Sequence, residues 1–214
     1  MMKLYGYWRS SATYRIRILL NLKGVPYDYI PIDLRAGDQR AEPFLERNPQ
    51  GLVPVIETED GTLISQSLAI AEYLEETAGG ASILPEGPEA RAKCRAIAAV
   101  IACEAQPFMN LRVQNYLRQD LALEDVAVKE WLHVWCDGAM TAAEALVAPN
   151  TTFACGEHPT IADAFIVPQI FGARRFGLNL DPFVRLQQIE AAANDHPAFV
   201  AAHPSRQPDN PETA

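Results

Sequence analysis

The feature that most constrains this chain is a change of pattern across Gly79-Gly80 and Pro85-Glu86-Gly87-Pro88. Before it, short strand-type runs alternate with helix-type runs; beyond it, strand signals nearly vanish. Clustered glycine and proline interrupt regular structure because glycine tolerates positive φ while proline fixes φ and lacks an N–H donor. The expected architecture is an α/β domain over residues 1–80, a linker over 81–88 and an all-helical domain over 89–214. With 214 residues, 49% of them hydrophobic, the chain can give each domain its own core.

Within the first domain, Lys3 to Tyr7 reads as a strand, and Ser10 or Ser11 offers an N-cap for a helix running through Tyr14 to Leu22. Lys23-Gly24 closes that helix, and Tyr27 to Ile32, β-branched and aromatic, is a second strand. A βαβ unit of this length pairs its strands in parallel through a right-handed crossover. A short helix is expected near Glu42 to Glu46. Val53 to Ile56 and Leu63 to Ser65 flank Asp60-Gly61 as a hairpin, and Ser67 can cap a helix through Leu74. In the second domain a long alanine-rich helix from Glu89 to about Leu117 is interrupted at Pro107, and Asp125 to Leu146 forms another helix. Thr160-Ile161-Ala162-Asp163 has the form of a capping box before the apolar run Ala164 to Phe171. The tail after His203, with three prolines, is expected to be irregular.

A formal charge of −9 argues against a nucleic-acid partner or an anionic membrane surface, and no apolar run is long enough to span a bilayer. Met1-Met2-Lys3 leads straight into a strand rather than a signal peptide. Cys94, Cys103, Cys136 and Cys155 form no Cys-x-x-Cys pair and no secreted disulfide pattern; they read as buried thiols in a reducing cytosol. His133, His158, His196 and His203 show no ligand spacing, so no metal site is expected.

Three places carry chemistry. Pro54 opens the hairpin without a ladder donor, and a cis bond there would leave the main chain of Val53 at a sheet edge to pair with an extended peptide; an ordinary edge proline is the alternative. Gln66-Ser67 opens a helix whose free amides and dipole favour an anion, such as a peptide carboxylate, although a plain N-cap would read the same way. Arg9-Ser10-Ser11 lies where the first strand meets the first helix. A thiolate there gains hydroxyl donors and the positive helix end, which lower a thiol's pKa from roughly 8.5 toward neutrality. A capped helix with solvated arginines is the alternative. No cysteine of this chain occupies the spot, so the thiol has to come from a ligand. Backbone, carboxylate and thiol together describe glutathione.

These same residues carry a family likeness. Ser10-Ser11-Ala12-Thr13-Tyr14-Arg15-Ile16-Arg17-Ile18-Leu19-Leu20 resembles the signature Ser-Ser-Cys-x-Trp-Arg-Val-Arg-Ile-Ala-Leu of the zeta-class glutathione transferases, which include maleylacetoacetate and maleylpyruvate isomerases. Asn48 to Pro54, Gln66 to Leu74, Thr160 to Asp163, Val167-Pro168-Gln169, Arg175-Phe176 and the tail His203 to Asp209 extend the resemblance over nearly the whole chain. It implies a thioredoxin-like first domain, an all-α second domain and a cytoplasmic homodimer. It further implies a glutathione-dependent cis-trans isomerase of a maleyl ketoacid in aromatic breakdown.

By position, the resemblance has Ser10 stabilise the glutathione thiolate with Ser11 nearby, and Val53, beside Pro54, pair with the cysteinyl backbone. Gln66 and Ser67 hold the γ-glutamyl end, and Gln39 and Asn110 make further glutathione contacts. Arg9 and Arg175 bind the carboxylates of a small dicarboxylate substrate, for which a guanidinium is a matched fork. Arg112 is a candidate for a distal carboxylate, with a solvated helix arginine as its alternative. The departure is Ala12, where many relatives carry cysteine; Ser10 and the helix end remain. Conjugation or dehalogenation of small α-haloacids is the rival chemistry, and a non-catalytic interaction module the rival of another class. A thiol-disulfide oxidoreductase is disfavoured, because the strand-to-helix turn has no cysteine.

Overall fold

The computed structural model describes residues 1–212. They form two compact units, one of Met1–Ile83 with the chain from Asp195 onward, the other Leu84–Asn194. The last segment therefore departs from the expected boundary, which assigned everything beyond residue 88 to the helical domain. The reason is a set of hydrogen bonds that the pattern of the tail does not reveal. Asn21 Nδ2 donates to the Ala198 carbonyl at 2.9 Å and Arg17 Nε to the Ala202 carbonyl at 2.9 Å.

The first unit runs β1 (Met2–Gly6), α1 (Ser11–Leu22), β2 (Tyr27–Pro31), α2 (Glu42–Leu45), β3 (Val55–Glu57), β4 (Leu63–Ser65) and α3 (Ser67–Thr77). Its sheet has the order β2-β1-β3-β4, with β1 parallel to β2 and the other neighbours antiparallel. β1 is central, so Leu4 and Tyr5 are buried, and α1 packs closely over it. Gly6 permits that approach: a Cβ there would lie 2.2 Å from Thr13 Cγ2.

α1 is buried at every position from Ala12 to Leu20, the mark of a helix covered on all sides. This overturns the reading of its arginines as solvated: Arg15 and Arg17 are 1% and 0% exposed. Burying a guanidinium requires acceptors, and the fold supplies them in part, leaving Arg17 Nη1 buried with no partner among the described residues. Arg15 Nη1 donates to Ser67 Oγ at 3.2 Å, and Arg17 Nη2 donates to the Trp8 carbonyl at 3.0 Å. Burial lowers the pKa of Arg17, while the nearby Tyr29, Tyr27 and Asp209 act in the opposite sense. At the far end of α1, Lys23 caps the helix and its Nζ meets Glu75 Oε2 at 3.2 Å, with both side chains buried.

The second unit contains α4 (Pro88–Ala99), α5 (Gln106–Met109), α6 (Leu111–Asn115), α7 (Asp125–Leu146), α8 (Ile161–Arg175) and α9 (Val184–Asn194). The first long helix is broken more than once. A widened π turn covers Val100–Ala105, Pro107 sits in the first turn of α5, and Asn110 leaves helical geometry with ψ 159° before capping α6. Pro107 has no N–H to continue the preceding ladder, which places the break there. α8 opens with the expected capping box: the backbone N–H and the hydroxyl of Thr160 both donate to Asp163 Oδ2 at 2.8 Å. Ala154 N–H donates to the other oxygen at 2.6 Å. Burial nevertheless pushes the Asp163 carboxyl up to about 6, against the pull of these donors.

Back in the first unit, α10 (Pro197–Ala202) and a 3-10 turn at Pro204–Arg206 complete the chain's regular elements. The tail is thus more ordered than its prolines imply. Not all cysteines are the buried thiols expected. Cys94 and Cys136 are buried, Cys155 is half-buried and Cys103 is exposed. Among the described residues no helix is long and apolar enough to cross a membrane, and no group of three or more His, Cys, Asp or Glu side chains is arranged to hold a metal ion.

Candidate active site

The turn Tyr7-Trp8-Arg9-Ser10 joins β1 to α1 and is closed by Ser10 N–H donating to the Tyr7 carbonyl at 3.0 Å. Ser10, rather than Ser11, is the N-cap of α1; its backbone is extended and its Oγ accepts from Thr13 N–H at 3.2 Å. A hydroxyl has one proton to donate besides its acceptor lone pairs. With the oxygen tied to the helix, the Ser10 proton is left for an acceptor beyond the turn, where the free amides of α1 also favour negative charge. Ser11 is the first helical residue and half-buried. The guanidinium of Arg9 lies over the Trp8 ring, 5.3 Å from its centroid.

The start of α3 repeats this logic with one change. The N-cap is Gln66 and not Ser67, and Gln66 has φ 70°, ψ 118° with no side-chain cap bond. Positive φ in a non-glycine residue is sparsely populated and persists where its surroundings enforce it. Here β4 ends at Ser65 and α3 begins at Ser67, so a single residue must turn the chain. Ser67, buried, has its oxygen occupied by Arg15, which again leaves the hydroxyl proton for an anion at the helix start. Arg15 thereby couples α1 to the first turn of α3. Gln66 Nε2 donates to Gln50 Oε1 at 2.7 Å on the surface.

Val53–Pro54 is a cis peptide bond. The expectation of a sheet-edge position for Val53 is corrected: β3 lies inside the sheet, between β1 and β4, and Val53 precedes it. Its main chain stands ahead of the first paired residue, Val55, outside the ladder. Gly51, at φ 61°, allows this segment to approach the main chain of Gln39; a Cβ on Gly51 would lie 3.0 Å from the Gln39 carbonyl oxygen. Gln39 Nε2 reaches the Leu34 carbonyl at 3.5 Å, and Gln39 Oε1 is buried with no partner among the described residues.

Arg9, Ser10, Ser11, Gln39, Val53, Pro54, Gln66 and Ser67 therefore all belong to the first unit. The other candidates belong to the second. Asn110 Oδ1 accepts from Val113 N–H at 3.0 Å, so its amide remains the donor. Arg112 is exposed on α6. Arg175 is exposed at the C-terminal end of α8, its guanidinium 4.5 Å from the Phe176 ring centroid.

Two supports were missed in the sequence. One is Arg15, whose signal was available: the α1 segment SATYRIRILLNL holds no acid to pair with a solvated arginine. The other is an aromatic group behind Asn110, in which Phe108 stacks on Trp135 at 4.2 Å and the Trp131 indole N–H donates to the Phe108 carbonyl at 3.0 Å.

Residues 9–77 match the family "Glutathione S-transferase, N-terminal domain". The maleylacetoacetate isomerase of Pseudomonas aeruginosa is 40% identical over 212 residues, covering 98% of this chain and 99% of that protein. Among solved structures, maleyl pyruvate isomerase, described as a bacterial glutathione S-transferase in the zeta class, superposes with TM-score 0.93 at 38% identity, covering 97% of this chain and 99% of that one. The maleylacetoacetate isomerase of Methylobacterium extorquens AM1, solved with bound malonate and glutathione, does so with TM-score 0.93 at 38% identity, over 98% and 99%.

Proposed function

That this chain belongs to the zeta-class glutathione S-transferases is the premise from which we propose its function: a glutathione-dependent cis-trans isomerase of a maleyl ketoacid. The observation that carries the reading is Ser10. Its oxygen is committed to the helix, its proton is free to donate, and no cysteine of the chain sits in the turn, so the thiol served there belongs to a ligand.

The donor set fits glutathione. Ser67 and the first turn of α3 suit the carboxylate of the γ-glutamyl end, with Gln66 beside it. The main chain of Val53, held before β3 by Pro54, suits the cysteinyl backbone. Gln39 Oε1, buried and without a partner among the described residues, awaits a donor. Asn110, whose Oδ1 is spent on Val113 N–H, keeps its side-chain amide as a donor for a further glutathione contact.

Glutathione held by these residues would supply a thiolate for reversible nucleophilic addition to the cis double bond of the substrate, the chemistry that permits cis-trans rotation. The chain's own residues have three tasks. Ser10 holds the sulfur deprotonated by hydrogen bonding at the positive end of α1. Arg9 and Arg175 anchor the substrate carboxylates, and the positive charge of each offsets the negative charge that develops on the conjugated carbonyl. Arg112 serves a distal carboxylate. Nothing is oxidised or reduced, and the thiolate is free again after each turnover. A cytoplasmic homodimer belongs to the same reading, supported by family membership, and light scattering measures the mass.

The test follows the ultraviolet absorbance of maleylpyruvate and maleylacetoacetate, with and without glutathione, in the parent and in Arg175→Ala. Glutathione-dependent conversion is expected, with KM raised about 10- to 100-fold in the variant, the worth of a charge-assisted bond. Glutathione binding without conversion of either substrate would replace isomerisation by conjugation or plain binding.

A further inference from the structure

The tail after α10 returns to the turn that carries Arg9 and Ser10. Gln207 Nε2 donates to the carbonyls of Ala201 at 3.1 Å and His203 at 2.9 Å, and Asn210 N–H donates to the Gln207 carbonyl at 3.1 Å. This folded strap delivers Asp209, whose Oδ2 accepts from Trp8 N–H at 2.8 Å and from Tyr29 O–H at 3.0 Å. The other face of the same residue is held as well, since Arg17 Nη2 donates to the Trp8 carbonyl at 3.0 Å. Both main-chain polar groups of Trp8 are thus gripped by ionisable side chains, one from the tail and one from α1.

From this geometry we infer that Asp209 is a positioning residue for the reaction: with Arg17 it clamps Trp8, and through Trp8 it fixes Arg9 and the Ser10 hydroxyl. The chain of contacts is short. Trp8 is the second residue of the turn closed between Tyr7 and Ser10, and its ring lies under the Arg9 guanidinium. Turning the Trp8 peptide would move both the thiolate donor and the carboxylate anchor. Asp209 Oδ1 is buried with no partner among the described residues, so the two bonds on Oδ2, to Trp8 N–H and Tyr29 O–H, are what orient the carboxylate. The groups facing Asp209 are Tyr29, Arg17 and the Trp8 amide, so its charge is set against α1 and β2 as well as its own segment.

The inference rests on the glutathione reading, and the experiment separates the two. The thiolate absorbance of bound glutathione is titrated in the parent, Asp209→Ala, Asp209→Glu, Asp209→Asn and Gln207→Ala, with kcat, KM and urea stability measured on each. Gln207→Ala loosens the strap that carries Asp209 and is expected to shift thiol pKa and kcat in the same direction as Asp209→Ala but by less, with urea stability showing that each variant compared is folded. In Asp209→Ala the bound thiol pKa is expected to rise by about one unit and kcat to fall about 10-fold. Asp209→Glu, which keeps the charge but displaces it by a methylene and serves if the alanine variant does not fold, shifts both in the same direction. Asp209→Asn, which keeps an acceptor for the Trp8 N–H, restores most of both. A thiol pKa and kcat in folded Asp209→Ala and Asp209→Glu no different from the parent would overturn the positioning role. Absence of any thiolate signal near neutral pH in the parent would instead overturn the glutathione site itself.

Discussion

Replacing Ser10 separates two jobs that one hydroxyl performs. Its oxygen caps α1 by accepting from Thr13 N–H at 3.2 Å, while its proton is free for the ligand's sulfur. Ser10→Ala and Ser10→Gly each remove both bonds, but they differ in stability cost, because glycine is nearly as good an N-cap as serine. The alanine variant is expected to lose about 1 kcal/mol of stability and the glycine variant a few tenths. Both lose a hydrogen bond to a charged acceptor, worth about 1.5–3 kcal/mol. At about 1.4 kcal/mol per pKa unit, the bound thiol should titrate about 1–2 units higher in each. Urea unfolding gives the first quantity and ultraviolet titration of bound glutathione the second. Equal thiol pKa values in the parent and in Ser10→Gly would refute the reasoning, since the charge would then be held by the helix amides alone.

Three further outcomes are expected. Burial pushes Asp163 up to about 6, so the folded state binds its proton more tightly than the unfolded chain. The stability it contributes is full below an unfolded pKa of about 3.9 and is lost as pH rises through about 6, a swing of about 3 kcal/mol. Urea unfolding of the parent minus that of Asp163→Asn should fall across this window; a flat or rising difference would count against it. Glu75→Ala leaves the Lys23 ammonium buried without its carboxylate and removes the acceptor of the Ile83 N–H. A cost of about 3–5 kcal/mol should appear in the urea midpoint. Gln66→Gly relieves a positive φ of 70° and should stabilise the chain by about 1 kcal/mol while weakening glutathione binding about 10-fold, read by calorimetry.

Much of this was legible in the sequence. Strand and helix periods located the elements of the first unit, and the capping box at Thr160 marked the start of α8. Most of the failures share one physical cause: they depend on partners that the tertiary fold brings together and the local pattern does not show. Arg15 and Arg17 look solvated because charge on a helix usually is, yet their acceptors are Ser67, Trp8 and Ala202, the last 185 positions away from Arg17. Ser67 reads as an N-cap until Arg15 claims its oxygen and the tight passage from β4 gives that place to Gln66. Val53 reads as an edge residue because pattern alone does not give strand order, and β3 proves to be interior. The tail was recognisable as a motif, but nothing local in it says that Asp209 seeks Trp8.

The central claim is that glutathione is a recycled nucleophile, and product counting under limiting glutathione tests it most directly. With glutathione well below the concentration of the maleyl ketoacid, the account predicts many fumaryl products per glutathione and recovery of the tripeptide unchanged. Product that stops at one per glutathione, or that carries the sulfur covalently, would contradict it.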